Sequence, residues 1–167
     1  MEIESTANAY TTSLRILGHN IRRIREMRQY SYLELALLCK YNRQYLSALE
    51  LGEKDIQLST VVKIARALDV PLSQLFSRSF DGSIDLLSEH FTSDDFLLVF
   101  CTNVRRYLSA SGKKEFHIYM ETGMDTATIN RILNQHITNP RISTLSKIST
   151  GIGIDLGSLL TRTERGL

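Results

Sequence analysis

The chain repeats itself, and this repeat limits the folds open to it more than any other feature. Residues 20–27, NIRRIREM, align with residues 103–110, NVRRYLSA, at an offset of 83. After one inserted residue the offset is 84, and residues 58–76 align with residues 142–160, with shared Ser-Thr and Lys-Ile pairs. Identities in one order across about 60 positions predict two copies of one small domain. We place a first copy at 14–77, a linker at 78–93 and a second copy at 94–162.

Each copy is predicted to hold five helices. The first copy opens with an apolar stripe at helical spacing, formed by Leu17, Ile21 and Ile24. A capping box from Ser31 to Glu34 starts the second helix, while Asn42 caps the third and Gly52 ends it. The fourth and fifth helices are predicted to begin at Ser59 and Pro71.

The second copy has matching helix starts and the same lack of strand patterning. Its five helices are predicted to begin near Asp94, Lys114, Asp125, Ser143 and Asp155. No segment of the chain shows the sustained alternation that is typical of a β-strand. The predicted fold class is therefore all-α.

The second and third helices of the first copy are separated only by residues 39–42, CKYN. A turn this short makes two helices cross steeply, as in a helix-turn-helix. With S..ELA at 31–36, E.G at 50–52 and ST..KIA.AL.V.L..LF at 59–76, the chain resembles the Cro and phage-repressor type of helix-turn-helix proteins, also called the Xre family. The resemblance covers residues 15–77 and again 98–161. It implies two tandem five-helix, lambda-repressor-like domains.

The resemblance implies that the third helix of the first copy enters the major groove of double-stranded DNA. It places Arg43, Gln44 and Ser47 at the base edges, with Ala48 at the margin. Arginine can donate two hydrogen bonds to guanine, and glutamine can pair with adenine. Phosphate contacts are expected from Asn42, Tyr32, Arg22, Arg23, Arg28 and Lys54. The alternative interpretation is a solvated polar helix face.

The second copy carries fewer groups suited to DNA. The DNA-contact candidates there are Thr126, Thr128, Asn130 and Arg131, beside a small Ala127. Residues 14–76 hold ten basic and six acidic residues, net +4, whereas residues 94–160 hold seven and six, net +1. Because phosphate neutralisation dominates DNA affinity, the first copy should bind DNA better.

Three positions depart from the family pattern. Lys40 stands where the turn usually has a glycine such as Gly123, at a strain cost of roughly 1 kcal/mol, so a reshaped turn is one expectation. Tyr119 stands where the second helix usually has a small residue such as Ala36. That substitution predicts either an outward-turned tyrosine or splayed helices. Glu115 stands at a position that often binds phosphate, and its charge would repel one.

Arg25 and Glu50 occupy positions that the family often pairs, and the second copy has Leu108 and Leu133 at both of them. Removing one partner of a buried ion pair strands a charge, whereas replacing both partners with apolar groups can be neutral. Joint replacement therefore predicts that the two positions are in contact.

Other classes of protein find little support. No phosphate-binding loop, nucleophile motif or metal-ligand spacing is present in the sequence, so we expect neither an enzyme, nor a metal, nor a cofactor. Cys39 and Cys101 are expected to be buried thiols. The N-terminus lacks a signal-peptide pattern, and no apolar run reaches the roughly 18 residues of a membrane span. We expect a cytoplasmic protein with no membrane partner.

These observations predict a sequence-specific transcriptional regulator that binds double-stranded DNA as a homodimer, with two chains associating through second-copy surfaces. The apolar run at 94–101, DDFLLVFC, is either a dimer interface or one buried helix. The alternative function is a protein-interaction module of the same fold, of antitoxin or anti-activator type. Such a module would have a protein partner and little DNA binding through the second copy.

Overall fold

The computed structural model describes residues 2–80 and 95–162, with side chains from Thr11 onward. The helices are, in chain order, α1 (Glu2–Met27), α2 (Tyr32–Cys39), α3 (Arg43–Glu50), α4 (Leu58–Leu68), the 3₁₀ helix Leu72–Phe76, α5 (Phe96–Ala110), α6 (Glu115–Thr122), α7 (Thr126–Leu133), α8 (Ile142–Ile152) and α9 (Leu156–Leu159). The described ranges hold no strand, only an isolated antiparallel bridge, which confirms the all-α class. Most of the predicted linker at 78–93 lies outside the described residues.

The first helix is longer than predicted and packs against helices of both halves of the chain. Leu17, Ile21 and Ile24 are buried as expected, and this part of α1 packs against α3, α4 and the 3₁₀ helix. The helix also packs against α8 and α6 of the C-terminal half, residues 95–162. The predicted domain start at residue 14 therefore falls inside a continuous helix that begins at Glu2.

Two of the predicted helix caps are confirmed by hydrogen bonds. The Ser31 hydroxyl accepts the backbone N–H of Glu34 at 3.2 Å, and the Glu34 carboxylate accepts that of Ser31 at 2.6 Å. The Asn42 side chain accepts the N–H of Tyr45 at 2.7 Å, which fixes the start of α3.

Two other predicted caps, Ser59 and Ser143, are wrong, because both residues lie in the first turn and the helix caps lie two positions earlier. Partners from the opposite half bind these serines instead. The N–H of Ser59 donates to Asn139 Oδ1 at 3.0 Å, and the N–H of Ser143 donates to Asp55 Oδ1 at 3.0 Å. A free backbone donor at a helix start needs an acceptor, and here that acceptor comes from a distant segment.

The turn between α2 and α3 keeps the family geometry without glycine. Lys40 adopts a left-handed backbone with φ 57° and ψ 40°, and its N–H donates to the carbonyls of Ala36 and Leu37. The expectation of a reshaped turn is therefore wrong. Gly123 takes the same conformation, with φ 66°, after α6.

The side chain of Tyr119 points to solvent, which was one of the two predicted alternatives. The residue is 42% exposed, and its ring lies 5.9 Å from that of Phe116. The small residue lies instead on the helix that packs against α6. An added Cβ on Gly151 of α8 would lie 3.0 Å from methyl carbons of Ile118 and Thr122 on α6. Close packing of α6 therefore depends on a glycine in its partner helix.

The predicted contact between Arg25 and Glu50 is confirmed. Arg25 Nε lies 2.6 Å from Glu50 Oε1, and Nη2 lies 3.1 Å from Oε2. Both side chains are almost fully buried, at 9% and 2% exposure. Leu108 and Leu133 are also buried, so the C-terminal half has apolar side chains where the N-terminal half has this ion pair.

The apolar run at 94–101 lies largely in the core. Phe96, Leu97, Phe100 and Cys101 are buried in α5, which supports the buried-helix alternative; Asp94 lies outside the described residues. Cys39 is likewise a buried free thiol, and burial raises the pKa of both cysteines to about 11.

Candidate nucleic-acid interface

One face of α3 packs against the protein core. Leu46 and Leu49 are buried, and Glu50 ties the end of the helix to α1 through Arg25. Gly18 of α1 lets the two helices approach so closely that an added Cβ would lie 2.4 Å from the carbonyl oxygen of Leu49. The orientation of α3 is therefore set by backbone-to-backbone packing as well as by side chains.

The opposite face of α3 is open. Arg43 and Gln44 are exposed in the first turn, and Ser47 and Ala48 are half-buried one turn later. Within the described ranges, neither the Arg43 nor the Gln44 side chain has a hydrogen-bond partner from the protein. Two unengaged donor groups on a rigid helix match the chemistry that recognises guanine and adenine in the major groove.

A tyrosine pair that the sequence analysis did not single out braces α3. The rings of Tyr41 and Tyr45 lie 5.0 Å apart, and the Tyr41 hydroxyl donates to Thr60 on α4 at 3.3 Å. Burial raises the pKa of Tyr45. Lys54, exposed after α3, lies 5.9 Å above the Tyr45 ring. Tyr41 precedes the N-cap Asn42 and lies outside the helix, so helical spacing in the sequence did not signal this contact.

The predicted phosphate contacts on α1 and α2 have varied surroundings. Arg22 is exposed and pairs with Glu26 at 2.9 Å, so part of its charge is offset. Arg23 is half-buried, donates to the carbonyl of Phe80 at 2.7 Å and lies above its ring. Tyr32 lies 4.2 Å below the guanidinium of Arg25. Of these three residues, Arg22 alone is exposed, whereas Arg23 and Tyr32 are half-buried.

Arg28 has a structural role as well. Its guanidinium donates to the carbonyls of Leu68 and Asp69 at 3.1 and 3.0 Å. These hydrogen bonds satisfy backbone carbonyl groups at the C-terminal end of α4. Unpaired carbonyls at a helix C-terminus favour a cation there.

The corresponding face of α7 carries a different charge. Asp125 caps the helix, accepting the N–H groups of Ala127 and Thr128 at 3.0 and 2.9 Å, and the Thr128 hydroxyl also donates to it. These hydrogen bonds, that of the Thr128 hydroxyl foremost, hold the pKa of Asp125 below its usual range. Asn42 is the neutral counterpart in the N-terminal half, residues 2–80. A carboxylate at this helix start competes with a phosphate for the same donors.

Three further residues of α7 face solvent. Asn130 and Arg131 are exposed, as is Thr126. The Asn130 amide lies 3.4 Å from Glu115 and accepts a hydrogen bond from Asn134 at 2.9 Å. The face thus combines one cation with two nearby carboxylates, and it is less suited to DNA than the face of α3.

The described residues can be compared with the geometry of a metal site and of a membrane span. No group of three or more His, Cys, Asp or Glu residues among them could hold a metal ion. Among these residues, no helix is long and apolar enough to cross a membrane.

Comparison with known proteins agrees with this geometry. Residues 21–75 match the helix-turn-helix family model. The chain is similar to control protein C.SmaI of Serratia marcescens, with 32% identity over 63 residues that cover 38% of this chain and 75% of the relative. No solved structure matches significantly. From this match, the chain belongs to the helix-turn-helix family, and it is a DNA-binding transcriptional regulator rather than an enzyme.

Proposed function

We propose that this regulator recognises specific sequences in double-stranded DNA by inserting α3 into the major groove. The observation that carries the proposal is the pair of Arg43 and Gln44, exposed and unengaged on a helix whose opposite face is buried. Asn42, Ser47 and Lys54 flank the pair and would supply further polar contacts. Arg22, Arg23 and Tyr32 are proposed to meet the phosphate backbone beside the groove.

We also propose that the chain is a tandem pair of related domains at 14–77 and 94–162, joined by the linker at 78–93. Adding 83 to the bounds of α2 and α3 gives those of α6 and α7, and adding 84 to those of α4 gives those of α8. The left-handed residues also correspond in pairs: Gln29 and Gly112, Lys40 and Gly123, Gly52 and Gln135, Asp69 and Gly153.

A buried asparagine gives independent support for the tandem proposal. Asn20 Nδ2 donates to the carbonyl of Leu75 at 3.1 Å, and Asn103 Nδ2 donates to that of Leu159 at 2.9 Å. The two donors differ by 83 positions and the two acceptors by 84, as the repeat requires. An identical buried polar contact in both halves is expected of two copies of one fold.

The second domain is proposed to be degenerate in DNA recognition. Thr126, Thr128, Asn130 and Arg131 would make its contacts, next to the carboxylates of Asp125 and Glu115. The homodimer, the further protein partner and the cytoplasmic location stay predictions.

The proposal is tested by binding selection from random duplex DNA, followed by titration of alanine variants. Arg43→Ala and Gln44→Ala should each weaken specific binding by about 1–3 kcal/mol and relax the preference at one base pair. Arg22→Ala is the contrast, because loss of a phosphate contact should weaken all sequences alike and reduce the salt slope by about one. Unchanged affinity and preference in the Arg43→Ala,Gln44→Ala variant would show that α3 does not read bases.

A protein-interaction role is the second candidate, and exposed apolar side chains favour it. Leu33 and Leu37 on α2 are 58% and 69% exposed, and their counterparts Phe116 and Met120 on α6 are 56% and 61% exposed. Salt distinguishes the two functions. Specific DNA binding should weaken steeply as salt rises, whereas a pure interaction module should show no DNA affinity at any salt concentration.

A further inference from the structure

The two halves meet along a short antiparallel contact that joins corresponding residues. Leu58 N donates to the carbonyl of Pro140 at 2.9 Å, and Ile142 N donates to that of Ile56 at 2.8 Å. Residues 56 and 140 correspond by the offset of 84, as do 58 and 142. Gln57 and Arg141, the pair at the centre, are also counterparts. When a segment pairs antiparallel with its own counterpart, the contact lies on an approximate two-fold axis.

The side chains around this contact repeat the same symmetry. Asp55 accepts the N–H of Ser143 at 3.0 Å and its hydroxyl at 2.6 Å. Asn139, the counterpart of Asp55, accepts the N–H of Ser59 at 3.0 Å and donates to its hydroxyl at 2.8 Å. Ser59 and Ser143 are counterparts as well. Each contact therefore occurs twice, once in each direction, which defines an isologous interface.

A second point on the axis lies where the 3₁₀ helix meets α9. An added Cβ on Gly157 would lie 3.2 Å from the carbonyl oxygen of Ser73, and these two residues are again counterparts by the offset of 84. The two self-pairing contacts, one near residues 57 and 141 and one near 73 and 157, are widely separated in sequence. Their agreement fixes a single relation between the halves.

We infer that one chain of this protein is an internal two-fold dimer whose DNA target is an inverted pair of unlike half-sites. The inference rests on the proposed function of α3. A two-fold relation gives α7 the position that α3 of a second subunit would have in a symmetric dimer. The homodimer predicted through second-copy surfaces is then unnecessary, because α8, α9 and residues 139–143 already contact the N-terminal half.

The two half-sites differ because the two faces differ. Arg43 and Gln44 offer base-specific donors, whereas Thr126 and Arg131 stand beside the carboxylate of Asp125. The half-site under α3 carries most of the sequence preference, and the half-site under α7 carries a weaker and different one. In helix-turn-helix dimers, half-sites lie about one helical turn apart, 10–10.5 base pairs, or a multiple of it.

The test uses the full chain and DNA selected from a random duplex pool. We expect a motif with two unlike inverted elements, and light scattering of the complex should give one 19.0 kDa chain per duplex. Inserting five base pairs between the elements rotates one by half a turn, so affinity should fall at least about tenfold as the linked contact is lost. Inserting a full turn of about ten base pairs is the matched control for added length.

Protein variants assign each element to its helix. Arg43→Ala should change the preference in one element only, and Thr126→Ala,Arg131→Ala in the other only. A palindromic motif bound by two chains would overturn the inference and leave the proposed function intact. A single half-site unaffected by the α7 variant or by the insertion would also overturn it. Absence of DNA binding would overturn both.

Discussion

The buried Arg25–Glu50 pair makes a quantitative prediction. Glu50→Leu removes a carboxylate that is 2% exposed and strands a guanidinium that is 9% exposed. Breaking a buried pair costs about 3–5 kcal/mol. The stranded Arg25 keeps its hydrogen bond to the carbonyl of Tyr30, at 2.8 Å, and its position over Tyr32. We therefore expect the lower end of that range, about 3 kcal/mol.

The double variant Arg25→Leu,Glu50→Leu should be more stable than the single one. It reproduces the apolar solution of Leu108 and Leu133, and replacing both partners of a buried pair is often nearly neutral. Loss of the Tyr30 hydrogen bond leaves a cost of about 1 kcal/mol. The double variant should thus regain about 2 kcal/mol, or roughly 4–8 °C in Tm for a chain of this size.

Urea unfolding followed by far-UV circular dichroism measures this difference, with equal m-values as the check on comparison. Glu53→Leu, which removes an exposed acid three residues later, is the control for the change in charge and should leave the midpoint nearly unchanged. Equal midpoints for the single and double variants would refute the argument, because the stranded charge would then have no cost.

Two further predictions follow from packing and burial. Gly18→Ala should destabilise the protein by about 1–3 kcal/mol in thermal unfolding, because its Cβ would lie 2.4 Å from the carbonyl oxygen of Leu49. An unchanged midpoint would mean that α1 and α3 can separate freely. Cys39 and Cys101, with pKa values of about 11, should resist a thiol reagent at pH 8 and react only on unfolding. Rapid reaction of the native protein with the reagent would contradict their burial.

Local chemistry made the start of α3 and its buried pair predictable. Asn42 caps α3 with its own side chain. The contact between Arg25 and Glu50 was indicated by the joint replacement of both residues in the second copy. Residue type indicated the cap, whereas the family pattern and the repeat indicated the pair. The fold class and the candidate face of α3 could be predicted from the same signals.

Contacts between distant segments were not predictable in this way. Ser59 and Ser143 have the composition of caps, yet their partners come from the opposite half of the chain. Residues 2–13, EIESTANAYTTS, show little apolar periodicity, and the helix they form packs against α8, whose position no local pattern reveals. Lys40 holds a left-handed conformation because hydrogen bonds from the turn and packing of both helices outweigh its strain.

The contact between α1 and α8 has a consequence for how the protein is made. Residues 2–27 leave the ribosome well before residues 142–152 are synthesised. At about 5–20 residues per second, the nascent first helix waits roughly 6–25 s for this partner. The N-terminal segment therefore spends that interval with its docking surface uncovered. The contact between α1 and α8 therefore forms late in folding, when the later helix closes over the earlier one.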